Sequence, residues 1–310
     1  MKVNDMTKGN LEMILAMMLS GTIGYFVVHS GQSFWNVVFF RCVIGGGLLL
    51  AYAFYRGVLP EALKQRSMLF LVLLGGVTLV ANWVFLFASF TYIPFSIATV
   101  AYHTQPLMLV LAGAFLARQA PTGSLMFWLI VSFTGLWFVI ELDMAEVWGL
   151  LQGDSRSFEA IFGLGLALAA ALLYTATTLI TKQVSSVPPY LVALIQMGVG
   201  VLMLLPFVQW GALPSSSISW LDLFILGAIN TSFMYIIMYD AFQKLPTNLL
   251  AILSFIYPIT ALFVDHIAFA THISAWQLVG VALILLSVCA VKFDWSLPKL
   301  GRHASIKGAS

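Results

Sequence analysis

The residues of this chain with the means to do chemistry are polar and ionisable side chains set deep inside long apolar runs. A group of that kind in hydrocarbon must face a cavity or find a partner. His103 is the deepest. Nine residues beyond Pro94 at ~1.5 Å each place it roughly 13 Å into a core ~30 Å thick. Thr99 and Tyr102, four residues and one residue before it, extend a polar stripe that Pro106 follows closely. Such a stripe can hydrogen-bond a solute or a neighbouring helix. His103 is expected to stay neutral there, because burial disfavours the imidazolium and no acidic residue is expected at that depth. Gln105, about 200° from His103 on one continuous helix, is expected to join Ala98 and Ala101 on a packing face. Arg41, about seven residues into its apolar run, could snorkel to the surface or stay buried as a structural or solute-facing cation. Asp240 near Lys244, and Asp265 beside His266, lie near span ends and are candidate proton sites.

Aromatic and amide groups complete the set. Trp83 and Phe87, and likewise Tyr235 and Tyr239, are spaced i, i+4 and so each pair lines one helix face. Tyr174, Tyr257, Asn82 and Asn230 are further polar positions within apolar runs. The signatures of intramembrane catalysis are missing: there is no His-Glu-x-x-His and no Gly-x-Ser-x-Gly. Tyr239-Asp240 would need a second deep aspartate. No metal ligand set and no cofactor are expected.

The elements that must carry these groups follow from composition. The chain has 310 residues, 61% of them hydrophobic and only 8% charged, where a soluble domain carries roughly a quarter charged. Bilayer hydrocarbon is the solvent that tolerates this balance, and nucleic acid is not an expected partner. Ten apolar runs of spanning length appear, at 11–28, 36–55, 68–91, 94–117, 124–140, 160–181, 189–210, 221–242, 247–269 and 274–291. Ten spans with both termini cytoplasmic put twelve of the fourteen Lys and Arg residues on the cytoplasmic side. The acidic connection Glu141–Glu159 then faces outward. Cys42 and Cys289 both lie in apolar runs, so no disulfide is expected.

The third and fourth runs realign with the eighth and ninth at a constant shift of 152 residues: Gly75 with Gly227, Trp83 with Tyr235, Phe87 with Tyr239, Pro94 with Pro246, and Pro106 with Pro258. At a slightly different shift, Gly45 meets Gly200 and Arg41 meets Gln196. Five helices per half is odd, so the halves must enter the membrane from opposite sides, an architecture of secondary transporters with the solute held near the midplane. The expected organisation is residues 1–145 as a first five-helix repeat, 146–159 as an outward-facing connection, and 160–310 as a second repeat with a cytoplasmic tail. Prolines free backbone carbonyls and localise bending, so Pro94, Pro106, Pro246 and Pro258 are candidate gating positions.

These features resemble the ten-helix EamA branch of the drug/metabolite transporter superfamily. The resemblance rests on the five-plus-five repeat, on the stretch Phe39-Phe40-Arg41-Cys42-Val43-Ile44-Gly45, and on the segments Ile93-Pro94 to Gln105-Pro106 and Leu245-Pro246 to Tyr257-Pro258. It implies export of amino acids, their derivatives or other small metabolites from bacteria across the inner membrane, through a central cavity. A metal-chelating or opine-like solute is an alternative, and an intramembrane enzyme is the alternative from another class. Members often end the fourth and ninth helices with Gly-Glu, whereas this chain has Ala117-Arg118-Gln119 and Ala270-Thr271-His272. Candidate solute contacts are Thr99, Tyr102, His103, Trp83, Tyr235, Tyr239, Tyr174, Tyr257, Asn82 and Arg41. Oligomeric state is left open.

Overall fold

A computed structural model describes residues 3–57, 66–141, 145, 147–149 and 154–295. Ten helices in it are long and apolar enough to cross a bilayer: Asp5–Ser30, Phe34–Arg56, Met68–Ser89, Phe95–Ala117, Gly123–Ile140, Phe158–Gln183, Pro189–Phe207, Ser217–Lys244, Thr247–Phe269 and Ala275–Lys292. No strand occurs among the described residues. Each span matches an apolar run of the sequence. The helix carrying the sixth span begins at Asp154, so the connection expected to reach Glu159 is helical over its last residues. Lys2, Lys64, Lys299, Arg302 and Lys307, used in assigning orientation, lie outside the described residues, as does much of the 142–153 connection.

Two spans are interrupted, and the sequence gives the cause. A proline lacks the N–H for the fourth-residue-back carbonyl, and its ring collides with that carbonyl. Pro106 acts on Tyr102, where the helix Phe95–Tyr102 ends before Gln105–Ala117 begins. Pro258 acts on Ser254, which caps Thr247–Leu253 before Ile256–Phe269. The interruption changes the reading of Gln105. The 200° separation from His103 assumed one continuous helix, yet the two residues flank the break. Gln105 is nonetheless buried, and its carbonyl lies 3.5 Å from the Thr175 hydroxyl of the sixth span. Pro94 and Pro246 stand as N-caps immediately before their helices.

A different irregularity marks the eighth span. Residues Ala228–Phe233 form a π-helical turn inside it. The Thr231 hydroxyl donates to the Leu226 carbonyl at 2.8 Å and the Ser232 hydroxyl to the Gly227 carbonyl at 3.1 Å, each five residues back. These side chains satisfy acceptors that the widened turn leaves behind.

The helices pack in a pattern that respects an exchange of the first five spans with the last five. The third lies along the sixth as the eighth lies along the first; the fourth meets the sixth as the ninth meets the first; the seventh crosses the third as the second crosses the eighth. The fifth packs against the tenth, where Gly135 and Gly280 come so close that a Cβ on either would stand under 3 Å from the other's carbonyl oxygen.

Candidate functional site

Arg41 is held in the middle of the bundle. The second span reaches the π-turn closely because Gly45 has no side chain: a Cβ there would lie 2.7 Å from Thr231 Cγ2. This approach lets Arg41 Nε donate to the Thr231 hydroxyl at 3.1 Å and Nη2 to the Asn230 carbonyl at 3.3 Å. The guanidinium also sits 5.6 Å from the centre of the Trp83 ring, a cation–π distance. With Arg41 only 5% exposed, snorkelling is set aside. No carboxylate pairs with it among the described residues.

From Arg41 a chain of rings crosses between the first five and last five spans. Trp83 meets Tyr235 edge to face at 6.4 Å, and Tyr235 meets Tyr239 at 5.2 Å. The Tyr239 hydroxyl donates to the Gln196 side-chain oxygen. Gln196 Nε2 and Asn230 Oδ1 are fully buried and have no protein partner among the described residues, the type of group that internal water or a solute would satisfy.

A second chain descends from Asn82. Its amide donates to the Ala170 carbonyl at 2.8 Å and lies 3.3 Å from the Tyr102 hydroxyl. Tyr102 stacks on Tyr174 at 6.2 Å, and Tyr174 points its hydroxyl at Met238 Sδ, 3.6 Å away. Tyr102 also meets His103 edge-on, and His103 stacks on Tyr257 at 5.3 Å. Tyr102, Tyr174 and Tyr257 are each half-buried, keeping part of their surface open. The hydroxyls of Tyr235 and Tyr257 make no hydrogen bond among the described residues, so both remain free for a further partner.

His103 stands at the break in the fourth span. Its Nδ1 donates to the Thr99 carbonyl at 2.8 Å; in the neutral ring Nε2 is then the acceptor. The Thr99 carbonyl thus fixes the orientation of the His103 ring within the expected stripe of Thr99, Tyr102 and His103.

The candidate proton sites lie elsewhere. Asp240 pairs with Lys244 and, at 3.4 Å, with Lys8; Glu12 pairs with the same two lysines at 3.3 and 3.4 Å. This four-charge lattice joins the first and eighth spans at the ends expected to be cytoplasmic. Beside it Lys182 donates to the Phe242 and Leu245 carbonyls, capping the eighth span. Asp265 is exposed and forms no ion pair among the described residues. Gating candidates Pro106 and Pro258 are buried at the helix breaks, while Pro94 is half-buried and Pro246 exposed.

Sequence reasoning passed over four members of these networks. Gln196 was legible only as the counterpart of Arg41, and Glu12 from its i+4 spacing to Lys8. Thr231 gave no local signal. Neither did the buried Asp222, whose carboxylate lies 2.7 Å from His29 Nδ1 across 193 residues of sequence. A separate recess of about 340 Å³ opens between the fifth and tenth spans, lined by Trp137, Phe138, Glu141 and Trp276. It adjoins none of the residues above, and indoles at a span end fit a membrane-interface belt.

Comparison with known proteins places the chain among transporters. A family model described as the EamA-like transporter family matches residues 7–141 and again 161–293. A protein of Bacillus subtilis (strain 168) described as the uncharacterized transporter YxxF is 30% identical over 281 residues, covering 88% of this chain and 86% of its own. An uncharacterized transporter of Archaeoglobus fulgidus is 24% identical over 289 residues, covering 91% and 96% respectively. A crystal structure superposes with a TM-score of 0.77 at 20% identity, covering 91% of this chain and 96% of its own, which speaks to the fold.

Proposed function

The chain belongs to the EamA-like transporter family, and we propose on that premise that it exports small organic metabolites, amino acids or their derivatives foremost, by alternating access. It is an integral membrane protein and a transporter. The observation that carries the finer reading is the cluster of Arg41, Trp83, Tyr102, His103, Tyr174, Tyr235 and Tyr257 where the two sets of five spans meet. Its members come from both halves, so a relative movement of the halves must rearrange it.

The two family matches, with the exchange of helix partners, support an inverted five-plus-five repeat. On that arrangement the lattice of Lys8, Glu12, Asp240 and Lys244 closes the cytoplasmic side. The breaks at Pro106 and Pro258 are the places where the fourth and ninth spans bend. We place the protein in the bacterial inner membrane with both termini cytoplasmic. A cysteine at position 155 should then react with an impermeant thiol reagent in intact cells; labelling only after permeabilisation would reverse the orientation. A catalytic role is disfavoured because Asp240 is already held by two lysines.

Transport by the purified protein in liposomes tests the reading directly, with two variants to locate the site. His103→Gln keeps an acceptor and should retain part of the activity. His103→Leu, at equal membrane abundance, should lose solute affinity by roughly five- to a hundred-fold, the cost of about 1–3 kcal/mol for one polar group left unpaired in a dry site. Unchanged affinity in the leucine variant would remove His103 from the site.

A further inference from the structure

We infer that the cluster around Arg41 selects a solute carrying one carboxylate, bound by the Arg41 guanidinium; this rests on the transport site proposed above. A charge removed from water needs an opposite charge and acceptors for its protons. Arg41 is 5% exposed and obtains only neutral acceptors from the protein, the Thr231 hydroxyl and the Asn230 carbonyl. Those two bonds use two of the five N–H groups of a guanidinium. Three remain without a protein acceptor among the described residues. The acids whose side chains are described are occupied or exposed: Glu12 and Asp240 share two lysines, Asp222 faces His29, and Asp5, Glu141, Glu159, Asp265 and Asp294 are exposed. No described residue supplies the counter-charge, and on this inference it arrives with the solute.

The surroundings fix what that solute presents. The planar fork of the guanidinium matches a carboxylate in two parallel hydrogen bonds, and the unpartnered Tyr235 hydroxyl stands on the adjoining ring to donate a further one. Trp83 lies against the guanidinium and meets Tyr235, leaving aromatic walls for an apolar or planar body. Every described Lys lies near a span end. A phosphate dianion would thus bring a second charge with nothing beside Arg41 to balance it, whereas one carboxylate balances one guanidinium. Between carboxylate and chloride, the two-toothed geometry and the aromatic walls favour the carboxylate.

The test uses the full-length protein purified in lipid nanodiscs and follows its unfolding temperature, which rises with any ligand that binds the native state. The probes are aliphatic, aromatic and α-amino carboxylic acids, each beside its primary amide, with sodium chloride against sodium gluconate as a separate arm. We expect at least one acid to bind tenfold or more tightly than its amide. In Arg41→Gln that ratio should fall to near one, and in Arg41→Lys, which keeps the charge but loses the fork, to an intermediate value. Should the glutamine variant not fold, a ratio in Arg41→Lys equal to that of the parent protein overturns the assignment. Acid and amide binding equally, or a ratio unchanged in Arg41→Gln, overturns it while the site stands. A shift with chloride alone overturns the carboxylate. Binding of no acid and no amide overturns the site reading itself and this inference with it.

Discussion

The third and eighth spans occupy matching places at a shift of 152 residues, yet one is a regular helix and the other is widened by a π-turn. In the third span Thr78 bonds its own helix at Gly75 and meets Thr177 of the sixth. Its counterpart Asn230 instead gives up its carbonyl to Arg41, and Thr231, opposite Leu79, receives the guanidinium. The turn also retards the helix by about one residue's rotation, ~100°, relative to an unbroken α-helix. Tyr235 and Tyr239 are thereby re-aimed relative to Trp83 and Phe87. Positions that the repeat alignment pairs thus differ in chemistry: the second span supplies a cation at Arg41 where the seventh supplies an amide at Gln196. The direction of that asymmetry suits a solute with one charged end.

Removing the hydroxyl on the π-turned side should have the largest effect. Thr231→Val leaves one N–H of a buried guanidinium without its acceptor and strips the turn of its five-back bond, and hydrogen bonds to charged groups are worth about 1.5–3 kcal/mol. Thr78→Val removes only neutral bonds on the regular side, about 1 kcal/mol. Unfolding midpoints of the two variants decide the comparison, and equal losses would show that the π-turn is not adapted to Arg41.

A smaller difference is expected at the paired glycines Gly45 and Gly200. A Cβ at Gly45 would stand 2.7 Å from Thr231 Cγ2 and 3.0 Å from the Gly227 carbonyl oxygen, the second of which is backbone. Overpacking of this kind costs about 1–3 kcal/mol. At Gly200 the same atom would meet Cys42 Sγ at 2.5 Å, the end of a side chain that can turn away. Gly45→Ala should therefore cost more than Gly200→Ala, read by thermal unfolding in the same nanodiscs. The reverse order would place the tight crossing in the seventh span instead.

What the sequence disclosed and what it withheld divide along the range of the forces involved. The ten spans were legible because apolar length is a local property; bending at Pro106 and Pro258 was expected, but the full interruption there was not, and Gln105 was placed on one continuous helix with His103. Trp83 and Tyr235 were legible as partners through the repeat, and they do touch. The π-turn was not, since no single residue in Ala228–Phe233 forbids an ordinary helix. Nor was the environment of Arg41, whose choice between surface and interior depends on how closely two helices 190 residues apart in sequence approach. The bond from His103 to the Thr99 carbonyl was not legible for a related reason: a helix end turns a backbone carbonyl into a side-chain partner.

The smallest effect concerns the C-terminal ends of the fourth and ninth spans, where the 152-residue shift reappears in the backbone. Arg118 and Ala270 both close their helices in the left-handed conformation, with φ of 52° and 51°. That region costs a residue with a side chain roughly 1–2 kcal/mol relative to the right-handed one, while glycine enters it freely. Part of the relief from a glycine is offset by the greater freedom it gives the unfolded chain, about 0.4–1 kcal/mol. Arg118→Gly and Ala270→Gly should each stabilise the protein by about 0.5–1 kcal/mol. The local bonding differs: Gln119 donates to the Ala114 carbonyl and Arg118 to that of Phe115, the paired bonds of a Schellman cap, whereas beyond Ala270 the Thr271 carbonyl accepts from His266. Neither substitution removes a partner from those bonds, so the gains should agree within a few tenths of a kcal/mol. A gain at one end with a loss at the other would show that the two caps, alike in φ, are held by different forces.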